Sequence, residues 1–245
     1  MSSVFIPYSS SIIRAIFIDR PNRFLIRCQI LESGDIIEAH LPDSGRLKEL
    51  LIQGAELYLL PNNDSRRKTK FSAVCVKDLT SDNWVSINAT LPNKLTGLAL
   101  EQQQLSDFTN WRYIRSEYTK GRSRWDHLLQ KDDEYMVVEV KGVTLVNRNG
   151  TGFFPDAVTA RGTKHVLELA EISKELGWRA AILFVAQRSD IKELQPAAEI
   201  DPDFTNALLT AEQAGVVLSA CRCHVTPNGV RLLDHIPVEL NKDAY

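Results

Sequence analysis

The stretch Ser123–Gly142, SRWDHLLQKDDEYMVVEVKG, decides how the rest of the chain is read. Its second half, YMVVEVK, is a β-strand by its run of Val and Met. Strand alternation nevertheless puts Glu139 and Lys141 on one face. Asp126 stands upstream in RSRWDHLL, a second strand pattern, and an antiparallel hairpin between the two segments would bring it across from the pair. One reading is an ion pair on a solvated strand face, the ordinary fate of so short a motif. The other is a site for a hard cation, Mg2+ or Mn2+, because carboxylate oxygens, waters and substrate phosphate are the ligands such ions prefer. That site suits phosphodiester hydrolysis. The cation would activate a bound water and offset charge on the phosphorane, while Lys141 positions the attacking water or helps deprotonate it. Glu117, in RSEYTKG, is a further acid or second metal ligand. The apolar flanks of YMVVEVK predict a central strand, where charge marks a site more often than it does in bulk solvent.

Upstream, IIRAIFIDR, RFLIRCQIL and DIIEAHL read as a three-stranded meander with turns at Pro21-Asn22 and Ser33-Gly34. PDSGRLKELLIQG then predicts a short helix, with Asp43 or Ser44 as cap, Leu47, Leu50 and Leu51 as its apolar face and Gly54 as its stop. Strand patterns resume at AELYLLP, KFSAVCVKDL and WVSINA. Three strands, a helix and further strands match the OB barrel, a fold that often binds single-stranded nucleic acid or oligosaccharide. After Pro92 the pattern changes to a helix, a hairpin, the long helix DAVTARGTKHVLELAEISKELG, the strand RAAILFVAQ, a helix near DFTNALLTAEQAG and the strand VVLSACRCHV. The expected division is therefore an OB-like barrel over 1–92 and a mixed α/β domain over 93–245.

The 245 residues are 44% hydrophobic, enough for a substantial core, and the formal net charge of -2 excludes a uniformly basic surface. Any nucleic-acid contact must then come from local patches. Four scattered cysteines in apolar contexts suit reduced, buried thiols and a cytoplasmic setting. No apolar run reaches the roughly 18 residues of a membrane span, and no secretory leader is evident, so no membrane partner is expected. CRCH at Cys221–His224 has no second ligand pair at zinc spacing. Gly-rich phosphate loops, a serine-nucleophile motif and a dinucleotide fingerprint are missing, which removes support for kinase, hydrolase and dehydrogenase readings.

Basic residues cluster in three places. NNDSRRKTK puts Arg66, Arg67, Lys68 and Lys70 in a loop between barrel strands. WRYIRSEYTKGRSR interleaves Arg122, Arg124 and other cations with Trp111, Tyr113, Tyr118 and Trp125, a mixture suited either to phosphate contact and base stacking or to a hairpin with its aromatics in the core. In FFPDAVTARGTKH, Asp156 reads as the helix cap, and Arg161 and Lys164 near the helix start are placed to meet phosphate. His165 is either a packing residue or a substrate contact. With Arg46 of SGRLKELL, these cations are the candidate DNA contacts.

SGRLKELL, SEYTKGRSRWDHLL, VVEVKGVTL, GFFPDAVTARGTKHVLEL, LFVAQR and IDPDF, in this order, resemble the bacterial and archaeal sugar fermentation stimulation protein A family. The resemblance implies an N-terminal OB-like domain and a C-terminal domain of the PD-(D/E)XK nuclease superfamily. It also implies DNA binding with little sequence preference and a regulatory link to sugar (maltose) metabolism. In the superfamily pattern the first acid maps to Asp126, preceded here by Trp125 rather than proline, and the (D/E)xK pair maps to Glu139 and Lys141. Two functions follow as expectations: a sequence-tolerant DNA-binding protein that retains a nuclease-like metal site, or an active Mg2+- or Mn2+-dependent nuclease. A regulator reading one defined operator would need a helix-turn-helix, and none is evident.

Overall fold

Short apolar runs punctuated by turn residues make the first half of the chain all β. The structure, a computed structural model, describes residues 4–240 apart from Ser44, Asn63 and Ser65. After β1 (Phe5–Pro7) come β2 (Ile13–Asn22), β3 (Leu25–Ile30), β4 (Ile36–His40), β5 (Glu56–Pro61), β6 (Phe71–Lys77) and β7 (Trp84–Ser86). They lie in the order β4-β3-β2-β5-β6-β7, and a parallel contact of His40 with Ser72 joins β4 to β6. That contact closes β2 to β6 into a five-stranded barrel of OB type. Ala15, Phe17, Ile26, Cys28, Leu57, Leu59 and Val76 fill it.

The helix expected between β4 and β5 is not formed; the described residues there make turns. Leu47 takes a φ of +47°, a left-handed conformation that no right-handed helix accommodates. Only one helix-like turn follows, with the Leu51 amide donating to the Leu47 carbonyl at 2.8 Å. Burial is the reason: Leu47 and Leu50 both enter the barrel core, and the Gly54 amide ties the segment to β2 by donating to the Phe17 carbonyl at 2.9 Å. Asp43 accepts from the Gly45 amide at 2.7 Å in a turn instead of capping a helix. Ser44, the alternative cap, lies outside the described residues.

The second half contains α1 (Leu91–Glu101), β8 (Arg112–Lys120), β9 (Ser123–Lys131), β10 (Glu134–Val143), β11 (Leu145–Val146), β12 (Thr151–Phe154), α2 (Ala160–Ser173), β13 (Trp178–Ala186), β14 (Glu193–Pro196), α3 (Pro202–Gln213), β15 (Val217–Thr226) and β16 (Gly229–His235). Seven strands form one sheet in the order β1-β16-β15-β13-β10-β9-β8, and β11, β12 and β14 form a small second one. β10, β13 and β15 run parallel, connected through α2 and α3. Leu95 and Ala99 of α1 share a core with Val138, Leu183 and the barrel's Tyr58 and Val74. Val166, Leu169 and Phe204 of α2 and α3 pack with Val137, Ile182 and Phe184 on the opposite face. Helices therefore cover both faces, as a sheet with a parallel centre requires. None of the described helices is long and apolar enough to cross a membrane.

Asp156 does not cap α2. Thr159 does, its hydroxyl accepting from the Gly162 amide at 3.0 Å, because the helix begins only at Ala160. The N-terminal strand β1 belongs to the large sheet, pairing with β16. Gly229 allows this approach: its φ is +149°, and a Cβ there would stand 2.2 Å from the Ile6 carbonyl oxygen. Gly229→Ala is expected to lift β1 from the sheet at a cost of about 1–3 kcal/mol. The check is hydrogen exchange at the amides of Tyr8 and Leu232, which donate to Asn228 and Val4 across this junction.

Candidate functional site

The hairpin of β9 and β10 creates the acidic pair. Its ladder ends with His127 opposite Val138, and the next position in the same register sets Asp126 across from Glu139. Asp126 is held at both oxygens: Oδ2 accepts from the Val140 amide and Oδ1 from the Asn93 side chain, each at 2.7 Å. Glu139 Oε1 accepts from Lys141 Nζ at 2.6 Å and lies 3.1 Å from His165 Nδ1. The side chains of Glu139 and Lys141 are 9% and 17% exposed, so this is not a solvated ion pair on a strand face.

Burial pushes the Asp126 carboxyl above its ordinary range, and the charge of Glu139 pushes it the same way, against the hydrogen bonds from Val140 and Asn93. Neighbouring His127 is held down to about 4 by burial. At neutral pH it is therefore uncharged and adds no cation beside Asp126. It serves as packing, its ring 5.8 Å from that of Tyr113.

Two opposed carboxylates attract a hard cation, and Mg2+ characteristically uses one or two of them with water and phosphate. Among the described residues, no group of three or more His, Cys, Asp or Glu side chains is arranged to hold a metal. A cation at Asp126 and Glu139 would thus keep most of its shell for water and a phosphate oxygen. Glu117 is not brought to this pair. It sits on the edge strand β8 at a φ of +52°, exposed, with its carboxylate 3.5 Å from Arg124.

The basic candidates lie on barrel loops, on the β8–β9 hairpin and at the start of α2. Arg46, Arg66, Arg67, Lys68 and Lys70 are exposed on barrel loops, where Arg66 makes a two-pronged pair with Asp64. Asn63 and Ser65 of that loop lie outside the described residues. Arg67 and Lys68 border a groove of about 600 Å3 with His40 and Phe24, and Phe24 is 53% exposed. Arg122 and Arg124 project from the β8–β9 hairpin, and Arg161 and Lys164 from the first turns of α2, the helix that also delivers His165.

The hairpin's aromatics are packing residues. Trp125 is fully buried, Tyr118 stacks on Trp178, and Trp111 and Tyr113 lie against the core. Cys221 and Cys223 are buried free thiols, raised by burial, while His224 between strand and solvent is exposed. Sequence reasoning did not single out Asn93, which reaches the site from α1 with no motif of its own.

A closed OB barrel followed by an α/β sheet with paired acids and a lysine on its β9–β10 hairpin defines a two-part protein of barrel and sheet. Within that class, the chain belongs to the sugar fermentation stimulation protein family: residues 18–87 match the SfsA N-terminal OB domain, and residues 90–229 match the sugar fermentation stimulation protein RE domain. The homologue from Shouchella clausii is 41% identical over 222 residues, covering 91% of this chain and 95% of its own. That from Moorella thermoacetica is 40% identical over 233 residues, covering 94% and 98%. A solved structure of Pyrococcus furiosus SfsA in complex with Ca2+ superposes with a TM-score of 0.84 at 27% identity, covering 96% of this chain and 98% of that one.

Proposed function

We propose that this protein binds DNA with little sequence preference and holds one divalent cation, Mg2+ or Mn2+, at Asp126 and Glu139. The observation that carries the reading is the register-matched carboxylate pair, Glu139 buried and Asp126 partly so, with Lys141 at 2.6 Å from Glu139. The Ca2+ complex of the Pyrococcus furiosus relative supports it. A bound cation would neutralise phosphate charge and activate water. Lys141 would hold the water's proton or its position, and His165 orients Glu139 from α2. We divide the chain near residue 92, with β1 returning to the second unit. The regulatory link to sugar (maltose) metabolism would act through this sequence-tolerant binding.

Little sequence preference follows from where the cations sit. They lie on loops, on an edge hairpin and at a helix start, positions that touch backbone phosphate and do not read base edges. Replacing Arg67, Lys68 and Lys70 together with serine is expected to weaken DNA binding and reduce the slope of log K against log salt by about 2–3. Binding titrations at several salt concentrations measure this, and an unchanged slope would return the loop to a solvated turn.

The second reading, phosphodiester hydrolysis, is favoured by the convergence of Lys141 and His165 on one oxygen of Glu139. Incubating the chain and its Lys141→Ala variant with Mn2+ and labelled single- and double-stranded DNA separates the readings. Cleavage by the wild type alone makes it an enzyme. Binding without cleavage leaves the first reading standing, and absence of binding removes both.

A further inference from the structure

A second set of acidic oxygens, distinct from the pair on the hairpin, lies in the cleft between barrel and sheet. A cavity of about 150 Å3 there is lined by Asp43, Gly45 and Leu47 from the barrel side and by Gly142, Asp156 and Gln187 from the sheet side. The place a Cβ would take on Gly45 is 2.9 Å from Asp43 Oδ1 and 3.2 Å from Asp156 Oδ2. Two carboxylates from opposite halves of the chain thus approach each other over the one residue that puts no side chain between them.

Among the described residues no ion pair is made to either carboxylate, although the charge of Arg20 acts on Asp43 from nearby. Arg20 donates to the carbonyl oxygens of Asp43, Gly45 and Arg46, bracing the loop without touching either carboxylate. Asp43 Oδ1 accepts from the Gly45 amide at 2.7 Å, and among the described residues no hydrogen bond or ion pair reaches the Asp156 carboxylate. Glu49, close enough to feel Asp156, adds further negative potential.

Gln187 supplies an independent observation. It is 3% exposed, lines the same cavity, and its Oε1 is buried with no hydrogen-bond partner. Native proteins seldom leave such an atom unsatisfied unless something fills the space. Asp43, with one oxygen bonded to the Gly45 amide, joins Asp156 and Gln187 in offering carboxylate and amide oxygens, the ligand set of a hard divalent cation. The cavity also opens where β10 and β13 end, at the carboxyl edge where open α/β sheets hold ligands.

We propose that this cleft is a second divalent-cation site, in which Asp43 and Asp156, with the amide oxygen of Gln187, clamp the barrel to the sheet through the ion. It stands independently of the site at Asp126 and Glu139, and one experiment separates the two. Ca2+ binding to the full chain is measured by isothermal titration calorimetry for the wild type, for Asp126→Asn with Glu139→Gln, and for Asp43→Asn with Asp156→Asn. The cleft site predicts that the hairpin variant keeps one Ca2+ and that the cleft variant loses that one.

Gln187→Glu guards against misfolding as an explanation, because a third carboxylate should tighten Ca2+ at the cleft by at least tenfold, a gain that damage to the fold does not produce. If the wild type binds one ion that the hairpin variant retains and the cleft variant loses, the cleft site holds while the hairpin site fails. Loss of all binding in the hairpin variant, or full wild-type stoichiometry in the cleft variant, overturns the proposal.

Discussion

Replacing Arg188 with leucine is expected to lower the stability of the whole chain by about 3–5 kcal/mol, the usual consequence of stranding buried charges. For a chain of this size that is a fall in Tm of the order of 10 °C. Arg188 is 1% exposed and uses its whole guanidinium: Nη2 donates to Asp78 at 2.6 Å and Ser81 at 3.0 Å, Nε to Asp190 at 2.6 Å, and Nη1 to the Thr144 carbonyl at 3.1 Å. Asp78 and Ser81 come from the turn after β6 of the barrel, while Thr144 and Asp190 come from the segments that follow β10 and β13. One buried cation therefore joins the halves, and its loss leaves two carboxylates, Asp78 buried and Asp190 partly so, without their partner. Converting Asp78 and Asp190 to Asn in the leucine background should recover much of the loss, since removing every member of a buried charge cluster is often near neutral. Urea denaturation of the three proteins measures both steps, and a loss below about 1 kcal/mol would show that the network adds little.

The same network fixes the sign of the acid response. Burial pushes both carboxyls up, but donors outweigh it, Thr80 and Arg188 at Asp78 and Arg188 at Asp190, so both are held below their ordinary range. A carboxyl depressed in the folded state contributes stability above its unfolded value of about 3.9 and loses it as pH falls through the folded value. Wild-type stability should accordingly decline below about pH 4, and the variant lacking all three charges should lack that part of the decline.

Strand alternation was a sound guide to the barrel where inner and outer faces differ plainly, as in the buried Ile26 and Cys28 against exposed Arg27 and Gln29. Likewise, D…ExK was legible since both acids lie on strands long enough to predict their own faces. The same periodicity misled at Leu47, Leu50 and Leu51. Their helical spacing is used by turns that drop leucines into the barrel, a tertiary demand that local pattern does not express. Asp156 and Thr159 both precede α2 with side chains able to cap it, and only the exit of the chain from β12 selects the threonine. The strands β11, β12 and β14, of 2–4 residues, are too short to show a period. Asn93 acts through a contact between elements distant in sequence, so nothing around it marks its use.

In EDTA, Asp126→Asn is expected to melt above the wild type, and in Mg2+ below it. Asp126 stands opposite Glu139 in a partly buried hairpin, and like charges directly opposed on neighbouring strands cost about 0.2–1 kcal/mol. Asparagine removes that repulsion and still offers an oxygen to the Val140 amide, while Asn93 can turn its own amide to accept from the new NH2 group. Glu139→Gln should behave oppositely in EDTA. It strands the Lys141 ammonium beside His165, at a cost of about 1–3 kcal/mol. Added Mg2+ stabilises only a protein that holds it, by about 2.7 kcal/mol at a hundred times Kd, so the wild type should climb roughly 5–10 °C relative to either variant. A cation bound elsewhere moves all three proteins alike and cancels from the difference. Melting curves with and without the ion therefore isolate the hairpin site: parallel shifts in wild type and Asp126→Asn would remove the cation from Asp126 and Glu139, and a lower melting point for Asp126→Asn in EDTA would show that hydrogen bonds already satisfy its charge.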